Sequence, residues 1–390
     1  MKLLSTIHRI ITEIQKDAEK CIRCNLCVAS CPLIPIISNN LRADPRMLSI
    51  DILRDIYRTA PIMYDSLYYC TTCMKCNTVC PSGISITRSI LILRSLTMQK
   101  AIHDKVFQIK FFIKSLLKHK NPYSAPPNMR CIWANNIDFK KEVHKSRITI
   151  WLGCTTSIRT PTIAKTTYLS LREILGNEVT LLGEKEGCCG KPALLIGDEN
   201  AAKELLSEAV DTVESVGTEI LVTPCPACYS MFKSGVKELL NKEPSFKVMH
   251  YTEFIHNVIS QDLINLGEIS EYGKVSYHDP CELGRGMGIF DEPRYIINKI
   301  VNGEIVEVLE SRELSRCCGG GGGVWAFHTD LAMSAAVYRL SQFMKQNVKA
   351  LISACPTCYL NFKYTIMTYE IPVKILDISQ IVLKSLQKIN

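Results

Sequence analysis

Eighteen of the 19 cysteines in this 390-residue chain fall into four groups whose spacing suits metal and electron-transfer chemistry. The first two groups are near the N-terminus. Cys21, Cys24, Cys27 and Cys31 precede Pro32; Cys70, Cys73, Cys76 and Cys80 precede Pro81. Three thiolates two residues apart wrap one [4Fe–4S] cube, and the fourth, before proline, is turned towards a neighbouring cube. The pattern therefore predicts two cubane clusters, one held by Cys21, Cys24, Cys27 and Cys80, the other by Cys70, Cys73, Cys76 and Cys31. Zinc would need only two C-x-x-C pairs, with no use for a third regular cysteine or the proline.

The other two groups are copies of one another. In the first, 33 residues separate Cys154 from Cys188-Cys189, and 35 separate that pair from Cys225-Pro226-Ala227-Cys228. In the second, 35 residues separate Cys281 from Cys317-Cys318, and 36 separate that pair from Cys355-Pro356-Thr357-Cys358. Each copy holds five thiols, one more than a single zinc ion or an ordinary cubane takes.

The elements that must position these groups change character along the chain. Residues 1–120 are rich in helical periodicity, with a helix expected over 44–57. Residues 121–146 read as a linker, because three prolines fall within 121–128 and proline cannot continue regular structure. From 147 on, short β-branched runs at 148–151, 178–182 and 219–222 alternate with amphipathic stretches at 162–175, 200–216 and 227–240. After a second linker at 261–273 the alternation repeats, with strand-like runs at 275–277, 304–309 and 350–352 and helical ones at 293–300, 329–347 and 357–369. Such β-α alternation predicts parallel sheets packed with helices, as two α/β domains over 147–260 and 274–390. Ligands gather at the carboxyl ends of parallel strands, which is where each set of five cysteines falls.

Composition limits the function classes. Hydrophobic residues make up 47% and charged residues 22%, as in a globular protein, and no apolar run is long enough to cross a bilayer. The stretch 1–14 carries His8, Arg9 and Glu13 and does not read as a secretory signal. Clustered thiols in a reducing, cytoplasmic setting read as metal ligands rather than disulfides. The net charge of +8 is uneven: residues 1–150 hold 23 basic and 10 acidic residues, the rest 23 and 28. The basic N-terminal third, with an amphipathic stretch at 105–120 carrying Lys110, Lys114 and Lys118 beside Phe107 and Phe111, suits a protein partner or a membrane surface. No nucleic-acid partner is expected.

Two features carry a resemblance. The 38 residues between Cys31 and Cys70 exceed what a minimal two-cluster ferredoxin needs, and the segment resembles the helical ferredoxin domain of fumarate and heterodisulfide reductases. The repeated cysteine set, with His278-Asp279-Pro280-Cys281-x-Leu283-Gly284-Arg285 and Cys317-Cys318 followed by Gly319–Gly323, resembles the cysteine-rich (CCG) domain of heterodisulfide reductases. The same domain occurs in lactate, glycolate and glycerol-3-phosphate oxidase iron–sulfur subunits. As a whole the chain is similar to the D-type catalytic subunit of heterodisulfide reductase. The resemblance implies two non-cubane [4Fe–4S] clusters, each held by one set of five cysteines, with a small disulfide cleaved between them. It also implies an electron-donor or acceptor subunit, either a haem-bearing membrane protein or a flavoprotein. The alternative is a relay passing electrons from a flavin-dependent dehydrogenase to quinone.

Near the cysteines, His278 is a candidate proton donor to a leaving thiolate, or a ring that holds a cluster in place. Arg285 and Lys191 are candidates for binding an anionic substrate or compensating cluster charge. Gly319–Gly323 lacks the strand–loop–helix setting and Lys-Ser/Thr of a phosphate cradle and reads as backbone packed against a cluster. Gly284, Gly286 and Gly288 lack the spacing of a dinucleotide loop, so no flavin or nicotinamide site is assigned. Cys131, the remaining thiol, reads as inert and buried.

Overall fold

A computed structural model of the chain describes residues 12, 14–37, 44–51, 64–100, 104–134, 145–302 and 305–388. In the N-terminal module each C-x-x-C-x-x-C run bends through two left-handed non-glycine residues. These are Arg23 (φ 57°) and Asn25 (φ 62°) in the first run, Thr72 (φ 54°) and Met74 (φ 62°) in the second. That winding turns backbone N–H groups towards sulfur, as where Thr72 donates to Cys70 Sγ at 3.3 Å. Within the expected helix at 44–57, the described part is helical, with a widened turn at Met47–Asp51; residues 52–57 lie outside the described set.

Two longer helices complete the module, α1 (Ile86–Lys100) and α2 (Asp104–His119). In α2, Ile109, Ile113 and Leu116 are buried, while Lys110, Lys114 and Lys118 face solvent and Phe111 is 67% exposed. Phe107, placed beside those lysines in the sequence, is not among the side chains described. No described helix is long and apolar enough to cross a membrane.

The first repeat has a parallel sheet in the order β2-β1-β3-β4, from β1 (Ile148–Ile150), β2 (Val179–Leu181), β3 (Ile220–Thr223) and β4 (Lys247–His250). Ile148 pairs with Val179 on one side and Ile220 on the other. The second repeat has the order β5-β6-β7, from β5 (Val275–His278), β6 (Ala350–Ser353) and β7 (Lys374–Asp377), again all parallel. The strand expected at 304–309 is reduced, in its described part, to one parallel bridge between Ile305 and Val275. Ser276 Oγ donates to the Val306 carbonyl, and Leu309 is 99% exposed. Val306 N–H also donates to the Val275 carbonyl at 2.9 Å, and among the described residues the pairing goes no further.

Around the sheets lie α3 (Pro161–Leu175), α4 (Glu199–Ser215), a helical run from Pro226 to Leu240, and α5 (Tyr251–Ser260). In the second repeat they are α6 (Asp291–Ile300), α7 (Thr329–Met344), α8 (Pro356–Thr368) and α9 (Ile378–Leu386). The edge strands β4 and β7 were not read from sequence. Each leads into a helix closed by a capping box, His250 with Glu253 and Asp377 with Gln380, which satisfies the first N–H groups of α5 and α9. Helices α3 and α9 pack together, and one apolar core that includes Trp151, Phe232, Tyr251, Tyr277 and Ile381 runs through both repeats. The module's core continues into Ile196, Ala202 and Leu205 of the first repeat.

The proline-rich stretch after α2 is packed rather than loose. It makes short 3-10 turns at Pro127–Arg130 and Ile132–Ala134. Asn121, fully buried, accepts from the N–H groups of Tyr123 and Ala125 and donates to the carbonyls of His119 and Ala125. Proline at the first helical position costs nothing, since that N–H has no intrahelical partner.

One side chain ties the three parts together. Arg94 on α1 is fully buried. It donates to the carbonyls of Leu67 (2.6 Å) and Cys70 (2.7 Å) in its own module, Leu195 in the first repeat and Gly322 (2.9 Å) in the second. The Tyr68 ring lies 4.9 Å from its guanidinium carbon. An Arg94→Met variant strands several buried carbonyls at about 1–3 kcal/mol each. It should unfold in thermal melts well below the parent, with the module dissociating from the repeats in limited proteolysis, and Arg94→Lys should recover only part of the loss. Unchanged melting of Arg94→Met would remove this hub from the account.

Candidate functional site

In the module, Cys21, Cys24, Cys27 and Cys80 line one small cavity, and Cys31, Cys70, Cys73 and Cys76 line another. The two groups divide the cysteines as the crossed pattern of the sequence expects. Burial pushes the Cys27 thiol up to about 11 and raises those of Cys31, Cys70 and Cys76. Such thiols stay protonated unless a metal displaces their protons. Four sulfurs around each cavity, with backbone wound towards them, fit a cubane in each place.

In the first repeat Cys154 follows β1, Cys188-Cys189 follows the β2 loop, and Cys225 to Cys228 opens the helical run after β3. Proline after the first cysteine of each C-P-x-C pair starts a helix at Pro226 and at Pro356. The thiols form an unbroken chain of contacts from Cys154 through Cys188, Cys189 and Cys228 to Cys225. The second repeat matches it, from Cys281 through Cys317, Cys318 and Cys358 to Cys355. Gly190 (φ +81°) and Gly319 (φ +95°), each following its cysteine pair, lie where a Cβ would come within 2.5 Å of a carbonyl, that of Ala202 or Ala332. Only glycine allows the double-cysteine loop to press so closely on the next helix.

The two sets meet. One cavity of about 380 Å³ is lined by Cys154, Cys188, Cys189, Cys225 and Cys228 from the first repeat and by Cys281, Cys318, Cys355 and Cys358 from the second. The tenth, Cys317, instead contacts Cys73 of the module, so the module's second sulfur group adjoins the second repeat. Two buried sets of five sulfurs fit clusters with more ligands than a cubane takes, and Gly153 adds to the cradle: a Cβ there would lie 2.9 Å from Cys228 Sγ.

Of the three other candidate residues, Lys191 alone lines this cavity. Its ammonium bonds Ser230 Oγ at 3.1 Å and pairs with Glu282 of the second repeat. Arg285 points away from the cavity and donates to the carbonyls of Cys73 (2.7 Å), Glu313 (2.9 Å) and Ser315 (2.7 Å), joining the second repeat to the module. His278 is 1% exposed and is not among the cavity residues. Burial first, then the nearby Arg339 cation, holds it well below the usual histidine range. The glycine run packs on the module: a Cβ on Gly321 would lie 2.7 Å from the Thr71 carbonyl, and one on Gly322 2.3 Å from that of Cys70. Cys131 is half-buried, its thiol pushed up to about 11 mainly by desolvation.

Several residues here went unread in the sequence. Arg130, from the proline-rich stretch, donates to Cys154 Sγ at 3.3 Å and to the carbonyls of Lys120 (2.7 Å) and Gly187 (2.8 Å), and pairs with buried Glu186. Glu186 also accepts from the N–H groups of Leu152 and Gly153, both at 2.8 Å. Arg159 lines the cavity, donates to Tyr364 Oη at 2.9 Å and lies over the Tyr123 ring. An arginine beside proline-rich sequence and a buried glutamate before Cys188 were the available signals. Neither stands out without knowing what packs on it.

The comparisons with known proteins agree with this layout. Residues 148–233 and 275–363 match the family described as "Cysteine-rich domain", and 17–84 match "4Fe-4S dicluster domain". The chain is 33% identical to the D-type subunit of a dihydromethanophenazine:CoB–CoM heterodisulfide reductase from Methanosarcina acetivorans, over 88% of each chain. It is 30% identical to the B-type subunit of a CoM/CoB fumarate reductase from Methanothermobacter marburgensis, over 92% of this chain and 70% of that one. A solved structure of a hypothetical protein from Helicobacter pylori shares the fold, with TM-score 0.58 and 12% identity over 90% of this chain and 74% of that one. A ferredoxin module followed by two complete cysteine-rich repeats, with this similarity along nearly its whole length, makes the chain a member of the heterodisulfide reductase D-type family of iron–sulfur oxidoreductase subunits.

Proposed function

We propose that this subunit reduces a small disulfide to two thiols inside the cavity between the repeats. The observation that carries the reading is that nine of the ten repeat cysteines line that one cavity. A subunit that only relayed electrons would have no need to turn both sets onto a shared space. When bound, two cubanes in the module and two non-cubane [4Fe–4S] clusters in the repeats would supply the electrons, ordinarily one at a time along the module and as a pair to the substrate. Breaking one S–S bond consumes two electrons and two protons and gives two thiols.

The chain's own residues supply binding and charge. Cys154, Cys188, Cys189, Cys225 and Cys228 would hold one cluster, and Cys281, Cys317, Cys318, Cys355 and Cys358 the other. The contact between Cys73 and Cys317 favours entry of electrons through the second repeat. Lys191, fixed by Glu282 and Ser230, would stabilise thiolate charge as the S–S bond opens. Arg159 is the one cavity cation with no carboxylate partner among the described residues, which favours a disulfide bearing an acidic group. The electrons would come from a partner subunit, a haem-bearing membrane protein or a flavoprotein, docked at the cytoplasmic face of a membrane through the lysine face of α2.

Three measurements test this. Anaerobically prepared protein should contain about 16 iron per chain and no stoichiometric zinc; about eight iron would leave the repeats empty. With an artificial one-electron donor, the reduced protein alone should convert a disulfide, and Cys318→Ser or Cys355→Ser should abolish turnover while the module's clusters remain reducible. Inert disulfides at full iron loading, with electron flow to quinone restored by a flavoprotein dehydrogenase, would establish the relay instead. Arg159→Gln should raise KM about tenfold or more for a disulfide carrying a carboxylate, since a bond to a charged group is worth about 1.5–3 kcal/mol. It should leave KM for a neutral disulfide unchanged, and equal effects on both would remove Arg159 from recognition.

A further inference from the structure

His278 ends β5, three residues before Cys281. Its Nδ1 is 3.4 Å from Arg339 Nε. A guanidinium only donates, so Nδ1 must accept, and in the neutral ring the proton is then on Nε2. That Nε2 is buried and has no hydrogen-bond partner among the described residues. An orphaned N–H costs about 1–3 kcal/mol, and native structures rarely leave one without a reason. A ring nitrogen of His278 and the sulfurs of Cys318 and Cys358 all lie within 4.8 Å of one another. The ring is held edge-on by Phe362, with centroids 4.9 Å apart. Arg339 is itself fixed by Gln342 and, at 3.2 Å, by Ser315 Oγ. The imidazole therefore has little freedom to turn elsewhere.

We propose that His278 Nε2–H donates a hydrogen bond to a thiolate sulfur of Cys318 or Cys358 and thereby raises the reduction potential of the cluster in the second repeat. The proposal rests on the reading that the repeats hold clusters. A hydrogen bond to a ligand sulfur favours the more negative, reduced state. The first repeat differs at the matching position, three residues before Cys154, where Trp151 stands. Arg339 acts through His278 as a positioning residue, because its donation to Nδ1 selects the tautomer.

The test is a potentiometric titration of the anaerobic, iron-loaded protein, followed by EPR and visible absorption, on the parent, His278→Phe and His278→Gln. His278→Phe keeps a ring against Phe362 without a donor, and His278→Gln keeps an N–H. The expected result is one repeat-associated midpoint moved to lower potential in His278→Phe, largely recovered in His278→Gln, with the other three centres unmoved and the iron content equal. Arg339→Met, which frees the other tautomer, should shift the same midpoint in the same direction. Equal iron with an unmoved midpoint would overturn the hydrogen bond while leaving the cluster reading intact. Strong iron–nitrogen coupling in pulsed EPR of the parent would overturn it in favour of direct ligation. Repeats without iron in the parent would overturn both.

Discussion

The buried guanidinium of Arg94 is the contact on which the arrangement of the molecule depends. A planar fork of five donors can satisfy carbonyls in several directions at once, and here it reaches all three parts of the chain. The carbonyls it holds, at Cys70 and Gly322, belong to the loops that bring the module's sulfurs beside those of the second repeat. Other cations near the cysteines repeat the same economy. Arg130 joins the proline-rich stretch to Cys154, Arg285 joins the second repeat to Cys73, Lys75 pairs across to Glu310, and Lys191 pairs across to Glu282. Thiolate clusters carry negative charge that a low-dielectric interior cannot leave uncompensated. Placing the compensating cations at the seams lets one set of interactions assemble the domains and balance the ligands.

Much of this was legible because cysteine spacing is a strict constraint and parallel strands bury almost every residue. The two N-terminal cysteine groups, the duplicated α/β repeats and five of the seven described strands follow from the pattern alone. The edge strands β4 and β7 were missed because Lys247–His250 and Lys374–Asp377 stand outside the cysteine frame and each begins with an exposed lysine. The stretch at 304–309 looked like a strand because Ile305, Val306 and Val308 make it a short β-branched run. Among the described residues it pairs with β5 only through Ile305 and Val306, and how far a strand's pairing extends has no sequence period. Arg94 was invisible for a different reason: an arginine in an apolar helix reads as a snorkelling surface residue until three domains are seen to close over it.

The glycine run has a neighbour besides the sulfur cavity that the sequence did not show. Five consecutive glycines beside a cysteine pair did signal close approach. At Gly321 and Gly322, however, the approaching group is the backbone of Thr71 and Cys70 rather than a cluster alone. The run is therefore a docking surface for the module as well as a wall of the cavity. A side chain there would push the backbone of Thr71 and Cys70, and with it the module's second sulfur group, away from the second repeat.

The two repeats keep matching sets of five cysteines but surround them differently, and on the proposed function that difference has a chemical consequence. A disulfide bound between two identical sites would have no reason to prefer one orientation. Here Arg159 and Lys191 are on the first-repeat side, whereas glycine backbone and Trp325 line the second. An acidic half and a plainer half of one substrate would then be sorted by charge, because reversing them would take the anion away from the Arg159 guanidinium, which has no carboxylate partner among the described residues. The contact between Cys73 and Cys317 is equally one-sided. Duplication accounts for two matched sulfur sets, but on that reading only the divergence of their surroundings would give the cavity a direction, both for a substrate and for electrons.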